Sequence, residues 1–115
     1  MAENAKVHLS NFRVGAAILT EDGAIHSGCN IEFDNYSNTI HAEESAISSL
    51  ISSGNKSKLI CIAVYTFGDE PFFPCGMCRQ SLFELGGNEL KVISCNQSTF
   101  TINKMGELLP SGFHL

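Results

Sequence analysis

Residues Lys58–Thr66, KLICIAVYT, give the strongest indication of the fold of this chain. This segment is almost continuously apolar and lacks the alternation of polar and apolar residues found in a strand with one face in water. Such a run is typical of a central strand that is covered on both faces by helices. The segments on either side of it therefore need to supply those helices.

Upstream of this strand, two runs of β-branched and small apolar residues, Phe12–Thr20 and Ala24–Ile31, are separated by the turn signal Glu-Asp-Gly. This pattern predicts a β-hairpin. Apolar residues at helical spacing follow His41, with Thr39 as the expected N-cap and Gly54 as the end of the helix. Downstream, we predict a helix over Cys75–Leu85, strands over Leu90–Ser94 and Thr99–Asn103, and a short helix over Met105–Leu109.

The resulting order β, β, α, β, α, β, β, α predicts an α/β fold, a three-layer α/β/α sandwich whose mixed sheet has about five strands. With 115 residues the chain can bury one core, so we expect a single catalytic domain over 1–115.

Charge and composition narrow the classes of partner. Seven Lys and Arg against twelve Asp and Glu give a formal net charge of -5, and no basic run occurs. This balance argues against nucleic acid as a partner and favours a small uncharged ligand. No apolar stretch is long enough to span a bilayer and residues 1–11 do not resemble a secretory signal, so we expect no membrane partner and a cytoplasmic location. The odd count of five cysteines is typical of reduced thiols.

The candidate chemistry lies at the starts of the two middle helices. Cys75 and Cys78 are one helical turn apart, so both thiols can face one point. By itself this pair is half of a zinc site, a redox dithiol, or two ordinary helix cysteines. Alone, His41 is a surface or capping residue and Glu43 an acidic residue at a helix start.

Together, these residues predict a catalytic zinc site. His-x-Glu followed by Pro-Cys-x-x-Cys is the signature of zinc-dependent base deaminases. The three ligands His41, Cys75 and Cys78 leave a fourth tetrahedral position for water, which distinguishes catalytic from structural zinc. Glu43, which does not bind the metal, is then the expected catalytic proton carrier between water, the ring nitrogen and the departing ammonia.

The sequence resembles the cytidine deaminases that act on free pyrimidine nucleosides. The resemblance covers nearly the whole chain in five blocks: Ser10–Ala17 (SNFRVGAA), Gly28–Glu32 (GCNIE), His41–Glu43 (HAE), Pro74–Gln80 (PCGMCRQ) and Glu107–Pro110 (ELLP). It implies one Zn²⁺ per chain and a role in pyrimidine salvage. It also implies these substrate contacts: Asn30 and Glu32 on the ribose 3′-hydroxyl, Phe12 on the pyrimidine, backbone around Ala42 on the base, and Glu43 on the ring N3 and the amino group.

The chain departs from the family pattern in three places. Many single-domain members have Cys at the position of His41 and Arg at that of Glu44; one imidazole and two thiolates already neutralise Zn²⁺ and need no such Arg. The eleven residues before Phe12 leave little of the N-terminal helix that covers one sheet face in the family, so we expect exposed apolar surface there, a lower stability or an altered assembly. Members of the tetrameric branch complete a neighbour's pocket with a C-terminal aromatic residue, for which Phe113 is the candidate. A homo-oligomer is expected, and a tetramer is favoured over the dimer.

These observations predict hydrolytic deamination of cytidine or 2′-deoxycytidine to uridine or 2′-deoxyuridine and ammonia. One alternative is deamination of a related cytosine nucleoside such as blasticidin S, and another is a catalytically silent zinc domain. Glu43 argues against the silent domain, because structural zinc has no use for a carboxylate at that position. A polynucleotide deaminase is disfavoured by the net charge of -5 and by the Asn30-x-Glu32 pair.

Overall fold

The computed structural model describes all 115 residues, Met1–Leu115. Its five strands form one mixed sheet in the order β2-β1-β3-β4-β5. The β1–β2, β1–β3 and β4–β5 pairs are antiparallel, and β3 and β4 are parallel. The strands are β1 (Val14–Thr20), β2 (Ile25–Cys29), β3 (Leu59–Thr66), β4 (Lys91–Cys95) and β5 (Phe100–Lys104). The predicted hairpin and the central position of β3 are confirmed.

Three α-helices accompany the sheet: α1 (Ala42–Ser52), α2 (Gly76–Gly86) and α3 (Met105–Leu108). Two short 3₁₀ turns cover Ala2–Asn4 and Tyr36–Asn38. The helix α2 connects the parallel strands β3 and β4, as a parallel pair requires. The predicted order of strands and helices is confirmed, and so is the α/β class. None of the helices has the length and hydrophobicity needed to cross a membrane.

The start of α1 differs from the prediction. Its N-cap is His41, and Thr39 instead ends the preceding 3₁₀ turn. The reason lies in a distant contact: Ile40 pairs with Ile31 in an antiparallel bridge, which keeps the chain extended up to residue 40. A helix can therefore begin only after His41.

One face of the sheet holds the core. Ala16 pairs with Val64, and Ile18 with Ile62, so these side chains point to the same face. They pack against Leu50 of α1, Leu82 of α2 and Met105 of α3 in a single cluster of twelve buried residues. The strand residues therefore bring all three helices to this face.

The helix α1 lies unusually close to β2. A Cβ atom on Gly28 would lie 2.5 Å from the backbone nitrogen of Ala46 and from Cβ of Ser45. Only glycine permits this distance, because real Cβ atoms do not approach other atoms so closely. The contact sets the position of α1 on the sheet and with it the position of His41.

The opposite face is covered only by the N-terminal segment. Ala2 lies over Gly15, while side chains further along the sheet, such as Ala63 and Ile93, are half-buried. On β5, Phe100 is 62% and Ile102 56% exposed. The third layer of the sandwich is thus limited to the first residues of the chain, and the expected apolar surface is present.

Candidate active site

The amino termini of α1 and α2 meet beside the end of β3. His41 precedes α1 in an extended conformation, with φ -79° and ψ 154°. Its backbone N–H donates a 2.9 Å hydrogen bond to the carboxylate of Glu44, one turn into the helix. This contact is one half of a capping box, and it holds the backbone of His41 at the point where the helix begins.

Cys75 and Cys78 occupy the corresponding position on α2. Cys75 is the N-cap, with φ -68° and ψ 171°, and Cys78 lies in the first turn. The Cys78 side chain is fully buried, whereas Cys75 is exposed. The carbonyl of Cys75 accepts the Arg79 N–H at 2.9 Å, which is the first hydrogen bond of the helix. Both thiols therefore face the gap between the two helices.

The three side chains converge as ligands of a metal ion would. Nδ1 of His41 lies 3.3 Å from Sγ of Cys75 and 3.4 Å from Sγ of Cys78. All three donor atoms lie within 4.8 Å of one another. Nitrogen and sulfur ligands on one tetrahedral zinc ion are about 3.5 Å apart, given the usual zinc bond lengths. The geometry and the donor set thus fit zinc, with one coordination position left over.

The electrostatics of Cys78 also favour a cation at this point. Burial raises the pKa of the Cys78 thiol above its usual value, and the neighbouring Glu43 and Cys75 side chains add to this effect. A buried thiol in such surroundings ionises when a metal ion replaces its proton.

A cavity of about 220 Å³ opens next to these ligands. Glu43 lines it and is only 5% exposed, so this acidic residue is buried beside the metal-binding cluster. The lining residues are Phe12, Val14, Asn30, Thr39, His41, Ala42, Glu43, Val64, Thr66, Phe72, Phe73 and Cys75. The cavity thus combines apolar walls with a carboxylate and a metal-binding corner, as is typical of small-molecule sites.

The structure brings Phe12 and Asn30 to this cavity as well. The Phe12 ring meets the Phe72 ring edge-on, with the centroids 5.2 Å apart. The Asn30 side chain accepts a hydrogen bond from the Val14 N–H at 2.9 Å and donates one to the Phe12 carbonyl at 2.8 Å. Asn30 therefore holds the start of β1 and the backbone of Phe12 in place.

Two of the predicted substrate residues lie elsewhere. The Glu32 carboxylate does not line the cavity and accepts hydrogen bonds from the Leu9 N–H, the Ser10 N–H and the Ser10 hydroxyl. These donors, the Ser10 hydroxyl above all, lower the pKa of Glu32 below its usual value. Phe113 is 66% exposed, and its carbonyl accepts a hydrogen bond from the Gln80 side chain at 2.9 Å. Within one chain, neither residue reaches the cavity.

Comparison with known proteins gives the family. Residues 1–94 match the family model described as "Cytidine and deoxycytidylate deaminase zinc-binding region". The chain belongs to this deaminase family. The matched range includes His41, Cys75 and Cys78, so the metal-binding cluster lies within the family's zinc-binding region.

Curated relatives match the chain over nearly its whole length. The cytidine deaminase of Mycobacterium tuberculosis is 38% identical over 114 residues, which are 99% of this chain and 82% of the relative. That of Sporosarcina psychrophila is 40% identical over 113 residues, covering 96% and 82%. The crystal structure of the cytidine deaminase from Burkholderia pseudomallei superposes with a TM-score of 0.91 at 38% identity, covering 97% of this chain and 90% of that one.

The sequence patterns did not identify several residues of the candidate site. Phe72, Phe73 and Thr66 line the cavity but belong to none of the chemical motifs. The two phenylalanines precede Pro74 directly, and such an exposed aromatic pair next to the Pro-Cys motif was the available signal. The role of Glu44 was also missed, although an acidic residue at the third helical position predicts a helix cap.

Proposed function

We propose that this chain is a zinc-dependent enzyme that hydrolyses cytidine or 2′-deoxycytidine to uridine or 2′-deoxyuridine and ammonia. Residues 1–115 form its single catalytic domain, and His41, Cys75 and Cys78 hold one zinc ion. The observation that carries the proposal is the buried Glu43 carboxylate, which lines the same cavity as the metal-binding cluster. A zinc domain that serves only folding would leave this carboxylate without a purpose.

The chemistry follows from the positions of these groups. A zinc ion held here supplies Lewis acidity that lowers the pKa of water toward neutrality. Glu43 accepts a proton from the attacking water and passes it to the ring N3. It then takes the remaining proton of that water from the hydroxyl group formed at C4 and delivers it to the amino group, which leaves C4 as ammonia. The reaction consumes one water molecule and needs no oxidant or reductant. Positioned acid–base groups of this kind contribute about 10²–10⁴-fold to rate.

The lining of the cavity supports an uncharged substrate. Its ionisable residues are His41, Glu43 and Cys75, and no Lys or Arg is among the lining residues. A phosphate group brings negative charge that such a site does not compensate. A nucleoside therefore fits better than a nucleotide or a polynucleotide, in agreement with the net charge of -5.

We assign the substrate contacts as the resemblance implies. Phe12 packs on the pyrimidine, the backbone around Ala42 meets the base, and Asn30 with Glu32 binds the ribose 3′-hydroxyl. Phe12, Asn30 and Ala42 line the cavity, which supports their part of the assignment. The Glu32 carboxylate is hydrogen-bonded to the Ser10 turn and does not line the cavity, so its part of the assignment rests on the resemblance alone.

We further propose a homo-oligomer, preferably a tetramer, that works in pyrimidine salvage in the cytoplasm. The exposed Phe113 supports the oligomer, because it is free to enter the cavity of a neighbouring copy. The free thiols of Cys29, Cys61 and Cys95 support a reducing compartment.

The test is an assay of purified protein loaded with zinc. Loss of absorbance and release of ammonia are followed with cytidine, 2′-deoxycytidine, blasticidin S and cytidine 5′-monophosphate, and bound zinc is measured on the same sample. Turnover of the nucleosides with about one zinc per chain supports the proposal. Turnover of blasticidin S alone favours the related nucleoside, preference for the monophosphate overturns the argument from charge, and zinc without any turnover indicates a silent domain.

A further inference from the structure

The hydroxyl of Ser10 connects two residues that the proposed function assigns to opposite ends of the substrate. It donates a 2.5 Å hydrogen bond to Oε2 of Glu32 and accepts a 3.0 Å hydrogen bond from the Phe12 N–H. The other carboxylate oxygen of Glu32 accepts the N–H groups of Leu9 and Ser10 at 2.9 and 3.1 Å. Hydrogen bonds to a carboxylate are stronger than neutral ones, so this turn is firmly attached to Glu32.

The backbone between Ser10 and Phe12 needs such support. Asn11 has φ 57°, in the left-handed region that residues with a side chain adopt at a cost. Asn tolerates this conformation better than most residues, but it does not by itself select it. The hydrogen bonds of Ser10 on one side, and that of Asn30 to the Phe12 carbonyl on the other, hold the chain in this conformation.

The Phe12 ring has few other constraints. Phe12 is 41% exposed. Its ring contacts the ring of Phe72 edge-on, and Phe72 is itself half-exposed. Packing of this kind does not fix a ring, whereas the hydrogen bonds at both ends of its peptide unit fix the backbone that carries it. The direction of the ring into the cavity therefore depends on Ser10 and Asn30.

The N-terminal segment that carries Ser10 is held in place by its own hydrogen bonds. The N-terminal segment that leads to Ser10 is hydrogen-bonded to the stretch after β2 that carries Glu32. The Lys6 N–H donates to the Asn30 carbonyl at 3.1 Å, and the Glu32 N–H donates to the Lys6 carbonyl at 2.8 Å. The Lys6 ammonium also donates to the Glu32 carbonyl at 2.7 Å. A movement of Glu32 is thus passed to Ser10 and from there to Phe12.

We propose that Ser10 is a positioning residue that places the Phe12 ring over the cavity and couples it to Glu32. This inference rests on the proposed function for the roles of Phe12 and Glu32. Ser10 does not line the cavity, so it acts through these two residues rather than by contact with substrate. Removing its hydroxyl removes both connections at once.

A first experiment tests the positioning without any turnover. Amide hydrogen exchange is measured by NMR on the zinc-loaded protein and on its Ser10→Ala, Ser10→Thr and Ser53→Ala variants. Ser53 is a matched control, because its hydroxyl also donates to a carbonyl, that of Leu50, and accepts an N–H, that of Asn55, far from the cavity. Ser10→Ala is expected to speed exchange at Phe12 about 10-fold, the loss of roughly one hydrogen bond, while Ser10→Thr and Ser53→Ala leave it unchanged.

A second readout in the same samples is the titration of the Glu32 carboxyl group. The Ser10 hydroxyl is the largest cause of the lowered pKa of Glu32, so its removal should raise that pKa toward the usual value. Equal exchange rates at Phe12 in the Ser10→Ala and Ser53→Ala variants, or an unmoved Glu32 titration, overturn the proposal whatever the enzyme's substrate.

A third experiment asks what the coupling does in catalysis, with cytidine and 2′,3′-dideoxycytidine as substrates. Glu32→Gln should lower kcat/KM more for cytidine than for the dideoxynucleoside, which lacks the 3′-hydroxyl. Ser10→Ala should lower kcat/KM about 10-fold for both, because it also disturbs the ring that meets the base. A loss that disappears with 2′,3′-dideoxycytidine shows that Ser10 serves only the ribose contact and overturns the role at Phe12.

These three experiments distinguish the proposed role of Ser10 from the proposed function of the enzyme. A wild-type protein that turns over neither compound contradicts the proposed function, while the exchange and titration results still decide whether Ser10 positions Phe12. Ser53→Ala retains wild-type kcat/KM for both compounds if the effect belongs to Ser10. The Ser10→Thr variant keeps the hydroxyl, so its kcat/KM for both substrates should lie within about twofold of the wild-type value. A retained hydrogen bond leaves the difference in transition-state free energy well below 1 kcal/mol.

Discussion

Glu44 caps the backbone of His41: its Oε1 accepts the His41 N–H at 2.9 Å. The residue that closes the first turn of α1 therefore also orients a ligand of the zinc-binding cluster. The family resemblance places Arg at this position when the ligand is Cys, where its charge offsets an additional thiolate. With His as the ligand that charge is not needed, and the position is used for a helix cap instead.

Glu44→Ala is expected to weaken zinc binding by about 10-fold, because the metal ligand loses the contact that orients it. Zinc affinity is measured by competition with a chelator. Glu107→Ala is the matched control, since Oε1 of Glu107 caps the Lys104 N–H at 2.8 Å in the same way on α3. The control should lose a comparable amount of stability, about 1 kcal/mol, with no change in zinc affinity. Equal zinc affinities in the two variants would contradict the role of Glu44.

Glu43→Gln is expected to abolish turnover while zinc content and folding are retained. Gln has the same shape but cannot exchange protons, so a loss of about 10²-fold or more in kcat is expected. Ammonia release with cytidine and zinc content are measured on one preparation. Glu44→Gln keeps the capping acceptor and should remain active. A fully active Glu43→Gln variant would remove Glu43 from the mechanism.

Arg79 joins the metal-binding loop to α3. Its Nε donates to the Pro74 carbonyl at 2.6 Å and its Nη1 to the Leu108 carbonyl at 3.0 Å. Because Pro74 directly precedes Cys75, this bridge holds a zinc ligand in place. A Lys side chain carries its donors on a single nitrogen atom, so it does not reproduce the two separate donors Nε and Nη1 of Arg79.

Arg79→Lys is therefore expected to release zinc to a chelator about 10-fold faster than the wild type. The control is Arg13→Lys, because Nη1 of Arg13 also bonds two carbonyls, those of Glu3 and Ala5, away from the metal ligands. Zinc release is followed with a coloured chelator, alongside thermal unfolding. If both variants release zinc at the same rate, Arg79 has a role in general stability only.

Gly28→Ala is expected to lower the free energy of unfolding by about 1–3 kcal/mol, because its Cβ would overlap the backbone of α1. Gly15→Ala is the comparison on the opposite face, where the contact at 2.8 Å is with Ala2 in the N-terminal segment, which can move aside. Urea unfolding measures both. A Gly28→Ala variant no less stable than Gly15→Ala would show that α1 can shift without cost.

Local spacing was enough to predict the strands and helices and to identify the candidate metal ligands. The apolar run before Thr66 predicts the central strand, Cys75 and Cys78 are one helical turn apart, and His41 and Glu43 begin a helix.

Contacts between segments that are far apart in the sequence could not be predicted from local spacing. Because Ile31 and Ile40 form a bridge, the N-cap of α1 is His41 and not the predicted Thr39. The Glu32 carboxylate is hydrogen-bonded to the Ser10 turn. Phe72 and Phe73 line the cavity, whereas Phe113 does not. Hydrogen-bond partners and cavity walls depend on which segments the sheet brings together, and a local sequence pattern does not specify these long-range neighbours.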